Sequence, residues 1–172
     1  MSRSTQAFLY GIGGGLAMGL MVSLMTIGSP DEAHLDSGKW VGYLRYLILF
    51  MGVLLCLKAV QKEKTPSPFW VLFRAGIIVS LSAGVTMGAF EIFHVHVLAP
   101  GFMEQFIEMS IDRLKEAGIS KEELAQSIAQ LRMLRDPSFL FFYHFIETAI
   151  FGTVFTLICA ALFARKSKTN VE

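Results

Sequence analysis

Apolar residues in this chain gather into four long runs instead of alternating with polar ones. The runs are Ala7 to Gly28, Trp40 to Val60, Phe69 to Leu98 and Phe139 to Ala164. A helix rises about 1.5 Å per residue, so about 20 apolar residues cover the hydrocarbon core of a bilayer. Each run reaches that length and predicts a transmembrane helix. Breakers and aromatic anchors mark the ends: Gly28-Ser29-Pro30 after the first, Trp40, Tyr43 and Tyr46 at the start of the second, Phe69 and Trp70 at the start of the third. Ala99-Pro100-Gly101 ends the third, and Asp136-Pro137 precedes the fourth. Trp and Tyr favour the headgroup level, which suits these positions. Between the last two runs the pattern changes. From Phe102 to Ala117, positions Met103, Phe106, Ile107, Ser110 and Leu114 recur at helical spacing, and Gly118 suits a C-terminal stop. Ser120-Lys-Glu-Glu123 is a capping-box sequence, followed by Leu124, Ile128, Leu131 and Leu134 along one face. Residues 102–135 therefore predict a hairpin of amphipathic helices. The expected fold is all-α, a single membrane domain over residues 1–172: a four-helix bundle with an outer, periplasmic helical hairpin.

Composition agrees. Of 172 residues, 53% are hydrophobic and only 17% charged, against about 25% charged in soluble domains. A net charge of +1, with no large basic patch, gives no reason to expect a nucleic-acid partner. Cys56 and Cys159 each sit inside an apolar run, read as small packing residues and not as a disulfide or zinc pair. Charge placement then orients the spans. Asp31, Glu32 and Asp36 outweigh Lys39 between the first two runs, whereas Lys58, Lys62, Lys64 and Arg74 surround the next connection. Arg3 precedes the first run, and Arg165, Lys166 and Lys168 follow the last. The positive-inside rule places both termini in the cytoplasm, and the expected location is a bacterial inner membrane. A cleaved signal peptide is the rival for the first run, but that run exceeds an h-region of 7–15 residues and no A-x-A-like site follows it.

Small residues recur four apart in three runs: Gly11, Gly15, Gly19 and Ser23; Gly76, Ser80, Gly84 and Gly88; Thr148, Gly152, Thr156 and Ala160. Such spacing puts them on one helix face, where small side chains let backbones approach. Packing within the chain is the favoured use, and a homodimer through the first stripe is the alternative.

The third run also holds Glu91 and His94, and the fourth holds His144 and Glu147. The two spans run antiparallel, so the pairs fall at similar depths. Arg45 lies on the same outer side of the second span. A carboxylate in hydrocarbon costs several kcal/mol unless it is paired, protonated or hydrated, so these groups should face inward. Three uses compete. The leading one is an interhelical polar cluster of Arg45, Glu91, His94, His144 and Glu147 that sets register. A metal site on Glu91, His94, His144 and Glu147 is the second, since Glu-x-x-His binds metals in soluble bundles, although no further carboxylates stand at this depth on the first two spans. A proton or solute relay is the third. His96 lies near the interface. No phosphate loop and no nucleophile–base set is visible.

The Gly-rich first span, Phe90-Glu91-Ile-Phe93, Pro100-Gly-Phe-Met103, Ile111-Asp-Arg-Leu-Lys-Glu-Ala-Gly118 and Phe145-Ile-Glu147 together resemble the bacterial inner-membrane family called domain of unknown function 4199. The resemblance covers nearly the whole chain, and the segment from Pro100 to Gly118 is its most specific part. It implies a small polytopic inner-membrane protein and confers no activity. The expected role is a non-enzymatic accessory or assembly component with no cofactor, embedded in the bilayer with a second copy or another membrane protein as partner. The alternative is a transporter-like or metal-binding protein, holding a divalent ion, that uses the Glu/His cluster.

Overall fold

The computed structural model describes residues 2–26, 32–61 and 67–169, with side chains for all of these except 25, 32–39, 41 and 165–169. Gly28-Ser29-Pro30, Asp31, Lys62 and Lys64 lie outside the described residues, as do the side chains of Glu32, Asp36, Lys39, Arg165, Lys166 and Lys168.

Helix α1 (Arg3–Met25) starts where the Ser2 hydroxyl accepts from the Thr5 amide at 3.1 Å, satisfying one of the donors a helix leaves free at its start. Helix α2 is Glu32–Gln61 and α3 is Phe69–Phe93. A single π-turn, His94–Leu98, continues α3 until the Ala99 amide bonds the His94 carbonyl at 2.8 Å. Helices α4 (Phe102–Glu116) and α5 (Lys121–Met133) form the hairpin, and α6 is Pro137–Thr169. No strand occurs among the described residues. The stretches Arg3–Leu24, Gly42–Gln61, Phe69–Leu98 and Pro137–Ala164 are long and apolar enough to cross a membrane. Two of the helices are longer than their apolar runs. Helix α2 starts eight residues before Trp40 and α6 continues into the basic tail. Hydropathy marks where a helix meets lipid; backbone hydrogen bonding continues past that point, because charged residues are sound helix formers.

Helix α3 is central and packs against α1, α2 and α6, most extensively α6 and α1. The small-residue stripes make these contacts within the chain. A Cβ at Gly15 would stand 2.8 Å from the Ala83 carbonyl, and one at Gly11 would stand 2.5 Å from that of Val79. Gly19 lies under the Phe90 ring. On the opposite face of α3, Gly76 meets Thr156, Ser80 meets Gly152, and Gly84 and Gly88 meet Phe145 and Phe141. At Gly88 a Cβ would be 2.8 Å from the Phe141 carbonyl. The first stripe is thus covered by α3. Cys56 and Cys159 are both buried, in one core with Val53, Leu57, Leu72, Val79 and Ala160.

The hairpin breaks at Gly118, whose φ of 66° lies in the left-handed region that suits glycine. Ser120 and Glu123 form the capping box: Ser120 Oγ accepts from the Glu123 amide at 3.2 Å, and Glu123 Oε2 accepts from the Ser120 amide at 3.1 Å. Arg135 pairs with Glu104, tying the two ends of the hairpin together. Asp136 Oδ1 accepts from the Ser138 amide at 2.8 Å, and Pro137 opens α6.

Candidate intramembrane polar site

Two polar clusters form between the spans where the sequence suggests one. The first joins α2 to α6. Arg45 and Tyr46 are neighbours on α2, while His144 and Glu147 are three apart on one face of α6. Arg45 Nη2 donates to Glu147 Oε2 at 2.5 Å, and Nη1 donates to His144 Nδ1 at 3.0 Å. The Tyr46 hydroxyl donates to Glu147 Oε1. Both carboxylate oxygens are engaged, one by a cation and one by a hydroxyl. A guanidinium has donors and no acceptor. His144 Nδ1 therefore accepts, and the ring proton resides on Nε2. In that state the 3.7 Å separation of His144 Nδ1 and Glu147 Oε2 is not an ion pair. The Tyr46 ring packs on Phe151, with centroids 4.2 Å apart, so the cluster is walled by aromatic carbon. The side chains of Arg45 and Glu147 retain 11% and 18% exposure, so water screens their attraction little.

The second cluster joins α3 to the end of α1. His94 is buried, with Ser23 Oγ 2.8 Å from Nδ1 and Thr26 Oγ1 3.0 Å from Nε2. The Thr26 hydroxyl donates to the Val22 carbonyl at 2.9 Å. Its oxygen is then the acceptor for Nε2–H, and Ser23 donates to Nδ1. One consistent chain of donors results, and both ring nitrogens are engaged.

Glu91 belongs to neither set. It is 7% exposed, and its Oε2 has no hydrogen-bond partner. It follows Gly84 and Gly88 on the face of α3 turned to α6. The sequence suggests one cluster in which Arg45 meets Glu91 and Glu147; the geometry pairs Arg45 with Glu147 and leaves Glu91 apart. His96 is exposed. The four residues considered as metal ligands divide among these places, and among the described residues no three His, Cys, Asp or Glu side chains gather to hold an ion.

Tyr46, Ser23 and Thr26 complete the two clusters without standing out in the sequence as site residues. Tyr46 passes for an interface aromatic, and Ser23 for the last member of a packing stripe. Their common signal is a hydroxyl at the depth of an ionisable group on a neighbouring span, which becomes legible once the helices are paired.

The chain belongs to the family described as protein of unknown function (DUF4199), whose model matches residues 9–165. That match takes in the four apolar helices and the hairpin. No curated protein and no solved structure matches the chain.

Proposed function

We propose that this member of the family is a non-enzymatic accessory or assembly component of a bacterial inner membrane, with both termini in the cytoplasm. One observation carries the reading: the ionisable groups Arg45, His94, His144 and Glu147 are engaged by partners within the chain. Groups held in that way fasten helices to one another. The partner is another membrane protein or a second copy of this chain. Native electrophoresis of solubilised membranes tests this. The expected result is migration in a complex of fixed composition that loses a component when this chain is deleted. Migration as an isolated chain, with all other complexes intact, overturns it.

Glu91 favours a second reading, transfer of a proton or small solute, because its Oε2 is buried without a donor and a carboxyl group at membrane depth is costly to keep without use. Purified protein in vesicles enclosing a pH-sensitive dye decides this. A flux lost in Glu91→Gln supports transfer, and a flux equal to that of protein-free vesicles removes it. Metal analysis of the same preparation tests a bound divalent ion.

A further inference from the structure

Glu91 is buried with one oxygen lacking a donor, and the ionisable groups of the neighbouring turn and spans are engaged elsewhere. His94 is held by Ser23 and Thr26, and Arg45 by Glu147 and His144. Toward the hairpin, a pocket of about 150 Å3 lies at the base of α4 and α5, lined by Val95, His96, Met103, Glu104, Arg135 and Leu140 among others. Val95 comes four residues after Glu91, so it occupies the same face of α3, about 6 Å nearer the hairpin. Leu140 precedes Phe141, whose carbonyl faces Gly88 on that same side of α3. Val95 and Leu140 are buried and form the floor of the pocket on the Glu91 side. His96, Glu104 and Arg135 are exposed and form its mouth, across which Arg135 and Glu104 are ion-paired. Val95 and His96 both belong to the π-turn, a widened turn of a kind that recurs at functional sites.

We propose that this pocket is the entrance by which protons from the hairpin side reach Glu91, with the Glu104–Arg135 pair as its gate. The use of the entrance in transfer rests on the second reading given above. The pocket has room for several waters at about 30 Å3 each, and His96, Glu104 and Arg135 supply the polar partners that such waters need. Only the apolar layer of Val95 and Leu140 then stands between the carboxyl group and a hydrated space. A proton crosses such a layer along a transient file of waters. A metal ion would have to exchange its water shell for protein ligands, and among the described residues no three His, Cys, Asp or Glu side chains gather to supply them. The gate is weak by construction. Both of its side chains are about half exposed, so water screens their attraction and the pair opens and re-forms readily.

The test reads water access directly, using the full chain in phosphatidylcholine vesicles. A small cationic methanethiosulfonate reacts with a thiolate, which forms only where water reaches the thiol. In Glu91→Cys the reagent should modify the thiol, followed by peptide mass spectrometry, while in Leu20→Cys, on an exposed apolar face of α1, it should not. Adding Arg135→Gln to Glu91→Cys should raise the rate about tenfold, the change expected when a state populated about a tenth of the time becomes the main one. Adding Met103→Trp, which fills the pocket, should slow it. Arg135 is exposed, so its replacement leaves the fold intact and decides the matter even if the bulkier variant does not fold. A rate unchanged by both additions, or no faster than that of Leu20→Cys throughout, overturns the entrance. Dye-loaded vesicles separate this outcome from failure of the transfer reading. A flux that needs Glu91 but ignores Arg135→Gln and Met103→Trp overturns the entrance and keeps transfer. Gated modification without any flux supports the entrance and removes transfer.

Discussion

Arg45 can only donate hydrogen bonds, and that single property organises the α2–α6 cluster. It sets the tautomer of His144 and neutralises Glu147, while Tyr46 completes the carboxylate. Removing one member of a buried pair leaves a charge without compensation, which costs roughly 3–5 kcal/mol. Arg45→Ala is expected to approach that range, reduced by the residual exposure of both side chains. Adding Glu147→Gln should recover part of the loss, because the orphan charge is then gone. Arg45→Ala with Glu91→Gln should be additive. Double-mutant cycles on detergent-solubilised protein measure both couplings, and coupling to Glu91 in place of Glu147 would contradict the geometry. The second cluster gives its own expectation. In Ser23→Ala the His94 Nδ1 loses its donor, a loss of roughly 1–3 kcal/mol for a buried group. Nitrogen chemical shifts should report Nε2–H imidazoles at both His94 and His144, and an Nδ1–H form at either would break the donor chain. Residue types and depths made Arg45, His144 and Glu147 legible in the sequence. The partner of each was not, because the rotation of one helix about its axis relative to another depends on packing and leaves no mark in spacing along either chain.

At the level of elements, the small-residue faces behave differently from one glycine to the next. Gly15 and Gly88 face carbonyl groups of a neighbouring helix at distances no Cβ tolerates, whereas Gly13 has nothing within 4 Å of its Cβ position. Gly15→Leu and Gly88→Leu are therefore expected to lower the melting temperature markedly. Gly13→Ala should be neutral or stabilising by up to roughly 1 kcal/mol, since a mid-helix glycine sacrifices conformational entropy without a packing return there. A thermal-shift series in one detergent separates them, and equal effects at Gly13 and Gly15 would refute the assignment of contacts. In the hairpin, Ser120→Ala removes the cap of α5 and should cost about 1 kcal/mol of local stability, read as faster amide exchange in α5 with α4 unchanged. The hairpin was legible because its signals are local: a glycine stop, a capping box and two apolar faces. The π-turn at His94–Leu98 was not, because the run His-Val-His-Val-Leu reads as ordinary helix. Nor were the true helix ends, because apolar content marks the lipid boundary and not the last hydrogen bond.

Across the whole molecule, the four spans are held together by unlike means. Lipid tails are as apolar as leucine, so water does not drive these helices together; close packing and polar bonds do. Small residues join α1 and α6 to the central α3, but α2 lacks such a face: Gly42 meets nothing and Gly52 only grazes the Tyr10 carbonyl at 4.0 Å. Arg45 and Tyr46 supply the polar hold that α2 needs in addition to its apolar core. An even number of spans returns both termini to one side and sends α4 and α5 to the other. Which side is which rests on charge, since cytoplasmic loops near span ends carry the excess of Lys and Arg. Lys58, Arg74 and the basic tail flank one side, and the hairpin connects α3 to α6 on the opposite one. Residues 102–136 carry five Lys and Arg, against eight at the two termini and around the connection from α2 to α3 (Arg3, Lys58, Lys62, Lys64, Arg74, Arg165, Lys166 and Lys168). Green fluorescent protein fused after Glu172 should therefore fluoresce, because it matures in the cytoplasm, and alkaline phosphatase inserted at Ser120 should be active, because it requires export. Fluorescence at Ser120 together with phosphatase activity at the C-terminus would invert the bundle. It would leave the contacts between helices as they are.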